Sequence, residues 1–270
     1  MNDQLREFIE IVWDFYHKNS RDLPWRHVDG NDQIDPYKIL VSEIMLQQTQ
    51  AQRVIPKYLD FLRVFPDVQS LAAAPLEAVL LPWSGLGYNR RAKFLWQAAQ
   101  TVVNDFDGQG PASDSELTSL PGVGVNTARA VLAYAYNQPV TFVETNIRTV
   151  YIHHFFQGAE AVHDKELLPF IVDTVDHEHP REWYWALMDY GTFLKKTVGN
   201  GSRYSTHYVK QSKFEGSKRQ IRGRVIKLLT AGPHDYESVK QEIADDRFEA
   251  VLSDLTTEGL VGRSGNILHL

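Results

Sequence analysis

Two glutamates and one glycine turn are the residues of this chain best placed to do chemistry. Glu43 lies in YKILVSEIMLQQTQ, residues 37–50, close to Leu40, Ile44 and Met45. A carboxyl among apolar neighbours has its ionised form desolvated, so its pKa rises and it can deliver a proton near neutral pH. The same spacing also suits a glutamate at a helix edge paired with a lysine or arginine. The second feature is PGVG, in which Gly122 and Gly124 flank Val123 and Pro121 is pre-set for a turn. Such a backbone can take positive φ and approach a ligand closely, and the helix that follows can hold an anion at its N-terminus. An ordinary turn between packed helices carries the same signature. Just beyond that helix stands Glu144, a lone carboxylate in FVETNIRTV.

Around these lie residues suited to a nucleic acid. Gln47, Gln48, Thr49 and Gln50 offer amides and a hydroxyl that can hydrogen-bond base edges, or simply end a helix in solvent. PWSGLGYNRRA presents Tyr88 on a turn made by Gly85 and Gly87, followed by Arg90 and Arg91. An aromatic beside arginines suits base stacking with phosphate contact, and equally a plain helix connection. The chain carries a net charge of −6, yet residues 201–224 hold seven arginines and lysines, Lys218, Arg219 and Arg222 among them, against Glu215 alone. A basic tract in an acidic protein points to a polyanion partner or to a solvated linker. Zero cysteines exclude disulfides, a thiolate nucleophile, and cysteine-ligated zinc or iron–sulfur sites. His153 and His154, with His177 and His179, lack a third ligand at a metal spacing, so no metal is expected.

The elements that must position these residues are nearly all helical. With 270 residues and 43% hydrophobic content, the chain can build one large or two modest cores. Apolar periodicity predicts helices over 5–18, 37–48, 51–64, 75–81, 89–104, 113–119, 126–136, 166–175 and 180–195, with Ser113 as an N-cap and Pro75 and Pro180 in first turns. Residues 199–216 read as a basic linker. Beyond it, helices over 218–230, 236–244 and 247–258 precede two short apolar stretches around Ser264-Gly265, a pattern that resembles a winged helix. No window approaches the roughly 18 uninterrupted apolar residues of a membrane span, and cytoplasmic, nucleoid-associated residence is expected.

In order and spacing, LPWR at 23–26, SEIMLQQTQ at 42–50, GLGY at 85–88, LPGVG at 120–124 and ALMDYG at 186–191 resemble the MutY-type adenine DNA glycosylases of the helix-hairpin-helix glycosylase superfamily. The resemblance covers about residues 5 to 196. It implies an all-α, two-lobed fold: one lobe of 1–28 with 133–198, and a six-helix lobe of 29–132. The linker 199–216 and a small winged-helix-like α+β domain, 217–270, follow. It implies a monofunctional glycosylase of base excision repair acting on a flipped base in double-stranded DNA, first adenine opposite guanine or 8-oxoguanine. Glu43 would protonate the purine, Glu144 would stabilise the sugar cation and Asn146 would support Glu144. Gln48 and Tyr88 would enter the base stack. Gly122, Val123 and Gly124 would grip a phosphate, helped by Gln47, Arg90, Arg91, Lys218, Arg219 and Arg222, while Arg26, Asn126 and Trp185 would border the base.

The departures shape the remaining expectations. The family's catalytic aspartate is Glu144 here, a methylene longer. Asn126 stands where bifunctional relatives carry a Schiff-base lysine, which argues against strand cleavage through that amine. Trp185 replaces a Gln or Glu that touches the target base, and Lys195 stands at the first iron–sulfur cysteine. The chain is therefore expected to be cluster-free and monomeric. Two alternatives stay open: a glycosylase for another mismatched, deaminated or alkylated base, and a lesion-binding protein with impaired catalysis.

Overall fold

The structure, a computed structural model, describes residues 2–210 and 213–270; positions 211 and 212, within the expected linker, lie outside the described residues. Fourteen α-helices and three short strands follow in order among them: α1 (Asp3–Asn19), α2 (Pro36–Leu46), α3 (Ala51–Val64), α4 (Val68–Ala73), α5 (Leu76–Trp83), α6 (Arg90–Asp105), α7 (Asp114–Ser119), α8 (Val125–Tyr134), α9 (Thr145–Phe155), α10 (Asp164–Thr174), α11 (Pro180–Thr197), α12 (Lys218–Leu229), β1 (His234–Asp235), α13 (Tyr236–Ile243), α14 (Phe248–Thr257), β2 (Gly262–Ser264) and β3 (Ile267–His269). Packing divides them into two units. The first holds the N-terminal segment through Ile39, Ala112–Ser119 and Val123–Lys210; the second holds Leu40–Pro111, Leu120–Gly122 and the C-terminal segment through Leu270.

In the first unit α11 packs on α9 and α1. Phe8 of α1 sets its ring 5.1 Å from Tyr151 and 5.0 Å from Phe155 of α9, and 6.1 Å from Trp183 of α11. Gly191 explains how closely α11 can approach. A Cβ there would lie 2.5 Å from the Asn146 carbonyl oxygen and 2.8 Å from its Cβ, so only glycine fits against α9. Asp189, two residues earlier and almost wholly buried, accepts from the Arg21 backbone N–H at 2.9 Å and Nε at 2.5 Å, and from Arg26 Nη1 and Nη2 at 2.9 and 2.8 Å. LPWR and ALMDYG are thus two halves of one ion cluster.

In the second unit α4 lies on α6, whose small Ala98 and Ala99 are buried, and Phe61 packs edge-on to Trp83 with centroids 6.0 Å apart. The C-terminal region belongs to this unit. Its helices α12 and α14 pack together around Val225, Leu229, Val251 and Leu255. Its antiparallel sheet runs β1-β3-β2, with His234 and Arg263 both opposite Leu268. Three helices with a small sheet match the expected winged-helix-like region.

Three differences from expectation have physical causes. Helix α9 was not foreseen because residues 147–152 are all buried, so no apolar stripe marks a face. Helix α4 is only six residues long, and strand β1 only two, too short for a period to show. Pro75 is the N-cap of α5 rather than a residue of its first turn, whereas Pro180 opens α11 and Ser113 caps α7 as predicted.

We expect Gly191→Ala to lower stability by about 2 kcal/mol through overpacking, read as a lower urea midpoint. An unchanged midpoint would mean that α9 and α11 separate at no cost.

Candidate nucleic-acid and catalytic site

The chemistry expected of Glu144 is housed in the first unit. Glu144 occupies the N-cap position of α9 with an extended backbone (φ −112°, ψ 170°), but its side chain makes no capping bond. The chain entering it is tethered by Asn126, whose Nδ2 donates to the Val143 carbonyl at 2.9 Å. One turn further, Arg148 forms a two-pronged pair with Asp164, both contacts at 2.7 Å. Lys195, in the last turn of α11, donates from Nζ to Asn146 Oδ1 at 2.7 Å. Burial raises the Glu144 pKa above the ordinary carboxylate value, and the positive charges of Arg148 and Lys195 oppose that rise. Lys195 itself is pushed down to about 8 by burial; Glu144 pulls it back up and Arg148 pushes it further down.

Lys195 is the residue that sequence reasoning did not count as part of the site. A signal was present: it follows Gly191 by four residues, one helical turn, and so shares the face that meets α9. His154, by contrast, is a packing residue, its ring 5.1 Å from Phe8 and its Nε2 3.0 Å from the Tyr190 hydroxyl. Burial, with His153 second, holds its pKa down at about 4. Among the described residues no group of three or more His, Cys, Asp or Glu is arranged to hold a metal ion.

The second unit carries Glu43, half-buried on α2 between fully buried Ser42, Ile44 and Met45. The end of this helix is held by Arg91 of α6. Its Nη1 donates to the carbonyls of Ile44 (2.8 Å), Met45 (3.0 Å) and Gln47 (2.5 Å), and its Nη2 to Thr49 Oγ1 (3.2 Å) and the Gly87 carbonyl (3.3 Å). Carbonyls at a helix end lack partners within the helix, and here an arginine supplies them. Arg91 is 8% exposed, and burial brings its pKa down to about 10. Arg91, expected to meet DNA, gives its fork to the protein backbone and also lines the cavity beside it.

Beside it opens a cavity of about 420 Å³. Gln47, Gln48, Tyr88 and Arg90 line it together with Arg219, Arg222 and Glu258 of the C-terminal region. Gln48 and Tyr88 both hold left-handed backbone, φ 57° and 49°, unusual for residues with a side chain. The GLGY turn is built by Gly85 and Gly87 at φ 93° and 74°, and Trp83 Nε1 donates to the Gly87 carbonyl at 3.2 Å. The guanidinium groups of Arg91 and Arg219 lie over the Tyr88 ring, 5.3 and 5.5 Å from its centroid, and Arg219 Nη1 donates to the Tyr88 hydroxyl at 2.5 Å. Arg222 pairs with Glu258, and Lys93 of α6 donates to the Glu258 carbonyl at 2.5 Å. Lys218, the first residue of α12, is exposed.

Of the hairpin, Gly122 alone has positive φ, 76°, and a Cβ there would lie 2.6 Å from Phe94 Cβ. Gly124 is extended at φ −89° and caps α8, so the expected freedom of φ is used once, and Val123 is buried. Two residues expected beside the target base have partners within the first unit. Arg26 is occupied by Asp189, and Trp185, 7% exposed, lies under the Arg26 guanidinium at 5.3 Å with Tyr134 stacked 6.3 Å away. Asn126 is exposed at the start of α8.

We expect Lys195→Met to shift the acid limb of the pH–rate profile to higher pH. Removing a positive charge beside Glu144 raises the carboxyl pKa further, so the ionised form is lost sooner as pH falls. A limb that stays in place would separate Lys195 from the Glu144 charge.

Comparison with known proteins agrees with this geometry. The HhH-GPD superfamily base excision DNA repair protein model matches residues 41–186. An adenine DNA glycosylase of Mycobacterium tuberculosis is 32% identical over 281 residues, an alignment covering 94% of this chain and 90% of that protein. An adenine DNA glycosylase of Buchnera aphidicola is 34% identical over 189 residues, covering 69% of this chain and 52% of that one, so the match spans about half of the latter's length. Among solved structures, a thermostable thymine-DNA glycosylase is similar, with a TM-score of 0.63 and 26% identity over 77% of this chain and 97% of that one.

Proposed function

We propose that this chain, which belongs to the HhH-GPD superfamily of base excision DNA repair proteins and within it to the adenine DNA glycosylase family, hydrolyses the N-glycosidic bond of an adenine mispaired in double-stranded DNA. The base opposite would be guanine or 8-oxoguanine, and the chain would act as a monomer. The observation that carries this reading is Glu144, held at the head of α9 without a capping bond, where burial raises its pKa and the charges of Arg148 and Lys195 oppose that rise. A carboxylate beside which positive charge develops on the sugar is drawn into its ionised form and stabilises that charge.

In the proposed reaction the Glu43 carboxyl gives its proton to N7 of the flipped adenine. The bond from C1′ to the base then breaks, its electron pair leaving with N9 of the adenine. Glu144 stabilises the positive charge left on the sugar, water adds its oxygen to C1′, and the proton that water sheds restores the acid. Asn126 would act through the Val143 carbonyl, and Asn146 through Lys195, to fix Glu144.

An iron–sulfur cluster does not fit this chain. There is no cysteine to ligate it, and Lys195, at the position of the first ligand, is hydrogen-bonded to Asn146. No described helix is long and apolar enough to cross a membrane.

A second reading, excision of another base such as thymine, is favoured by one observation. Trp185 stands where a base-contacting amide or carboxylate is expected, and its ring is packed away under Arg26. End-labelled duplexes carrying single A·G, A·8-oxoguanine, T·G or U·G pairs, treated with protein and then hot alkali, decide between the two. We expect breaks at the adenines that depend on alkali; breaks only at thymine or uracil would establish the second reading, and breaks without alkali would end the monofunctional assignment. Glu43→Gln should lower the single-turnover rate at least about 100-fold while duplex binding persists. Retained activity would remove Glu43 from the chemistry. Glu144→Asp should keep or raise the rate; loss of turnover would mean the longer side chain is required here.

A further inference from the structure

The cationic side chains around the second-unit cavity are already engaged by protein. Arg219 of α12 lies over the Tyr88 ring and bonds its hydroxyl. Arg222 is paired with Glu258, their side chains 21% and 22% exposed. Lys93, one turn along α6 from Arg90, donates from Nζ to the Glu258 carbonyl at 2.5 Å, at the end of α14, where a helix leaves its carbonyls without partners. The next residue, Gly259, lies so close that a Cβ there would be 2.7 Å from Lys93 Nζ. Glu258 thus places a carboxylate in a cavity otherwise lined by Arg90, Arg91, Arg219 and Arg222, where an arriving phosphate would be drawn. These contacts are polar. The apolar residues Val225, Leu229, Val251 and Leu255 close on one another between α12 and α14 instead. Hydrogen bonds that water can replace part at small net cost.

We propose that the C-terminal region is an autoinhibitory cover over Tyr88 and the Arg90–Lys93 face of α6, and that a DNA duplex must displace the Arg219–Tyr88 and Lys93–Glu258 contacts to reach them. The inference rests on the duplex-binding part of the function proposed above. Release does not unmake the GLGY turn, because Arg91 of α6 holds the Gly87 carbonyl and keeps its own place over the Tyr88 ring. If the duplex takes only the open form, its apparent dissociation constant is the intrinsic one divided by the open fraction. Weakening a closing contact then tightens binding. Lys93 makes this a test of sign, since loss of a cation that meets or attracts phosphate weakens binding to a polyanion.

The test uses the full chain and a duplex whose target adenosine carries a 2′-fluoro group that blocks excision, with binding read by fluorescence anisotropy. Lys93→Met should bind this duplex about 3- to 10-fold more tightly than wild type, although it has lost a positive charge. Equal or weaker binding would overturn the proposal and make the C-terminal region a fixed wall of the site. Because the chain has no cysteine, the double variant Lys93→Cys/Glu258→Cys can be joined by a short bismaleimide without a competing thiol. The joined protein should bind at least about 10-fold more weakly than the same protein before joining; unchanged affinity would also overturn the proposal. Circular dichroism and melting of each variant exclude misfolding as the cause. If wild type and the unjoined variants all fail to bind any duplex, the duplex-binding reading falls and this one with it. Duplex binding by wild type that neither release nor joining alters would overturn this one alone.

Discussion

The guanidinium of Arg91 holds three carbonyls at the end of α2, the hydroxyl of Thr49 and the carbonyl of Gly87. Most of what the second unit offers a ligand follows from that one group. It sets where the Glu43 helix ends, where Gln47 and Gln48 leave it, and where the GLGY turn lies against them. A charge this deeply placed is tolerable because its N–H groups meet oxygen atoms that a helix end leaves without partners. The same group also faces the Tyr88 ring, so the floor of the cavity and the end of the helix are one construction.

The first unit uses a different device to the same end. There the position of Glu144 follows from the closeness of two helices: Gly191 lets α11 touch the backbone of Asn146, and Lys195, one turn on, bonds the same asparagine. Asp189, Arg21 and Arg26 anchor the other end of the arrangement. Residues that a motif search would assign to catalysis are here split between chemistry and support. Glu144 is a candidate for the first, and Gly191 and Asp189 serve the second.

The sequence was most legible where a local rule decides the outcome. Amphipathic helices such as α3 and α6, the prolyl start of α11 and the Ser113 cap follow from periodicity and capping, and the structure has them. Legibility failed at α9, where burial on every side erases the period, although that helix carries Asn146 and directly follows Glu144. It failed again for arginines. Arg26, Arg91 and Arg219 look alike in a sequence, but one is bound to Asp189, one caps a helix and one braces Tyr88, and only long-range packing distinguishes them. The grouping of 213–270 with α3–α6 rests on contacts between residues more than a hundred positions apart, which no spacing rule reports.

The bracing of Tyr88 has a consequence for entropy. An aromatic side chain that enters a base stack from a flexible loop gives up its backbone and rotamer freedom at the moment of binding, an ordering cost of about 1–2 kcal/mol for the backbone alone. In this chain the backbone of Tyr88 is already left-handed and its ring already lies against two guanidinium groups. That freedom is surrendered when the protein folds, so the cost of ordering this residue falls on the stability of the fold and not on any ligand the cavity receives.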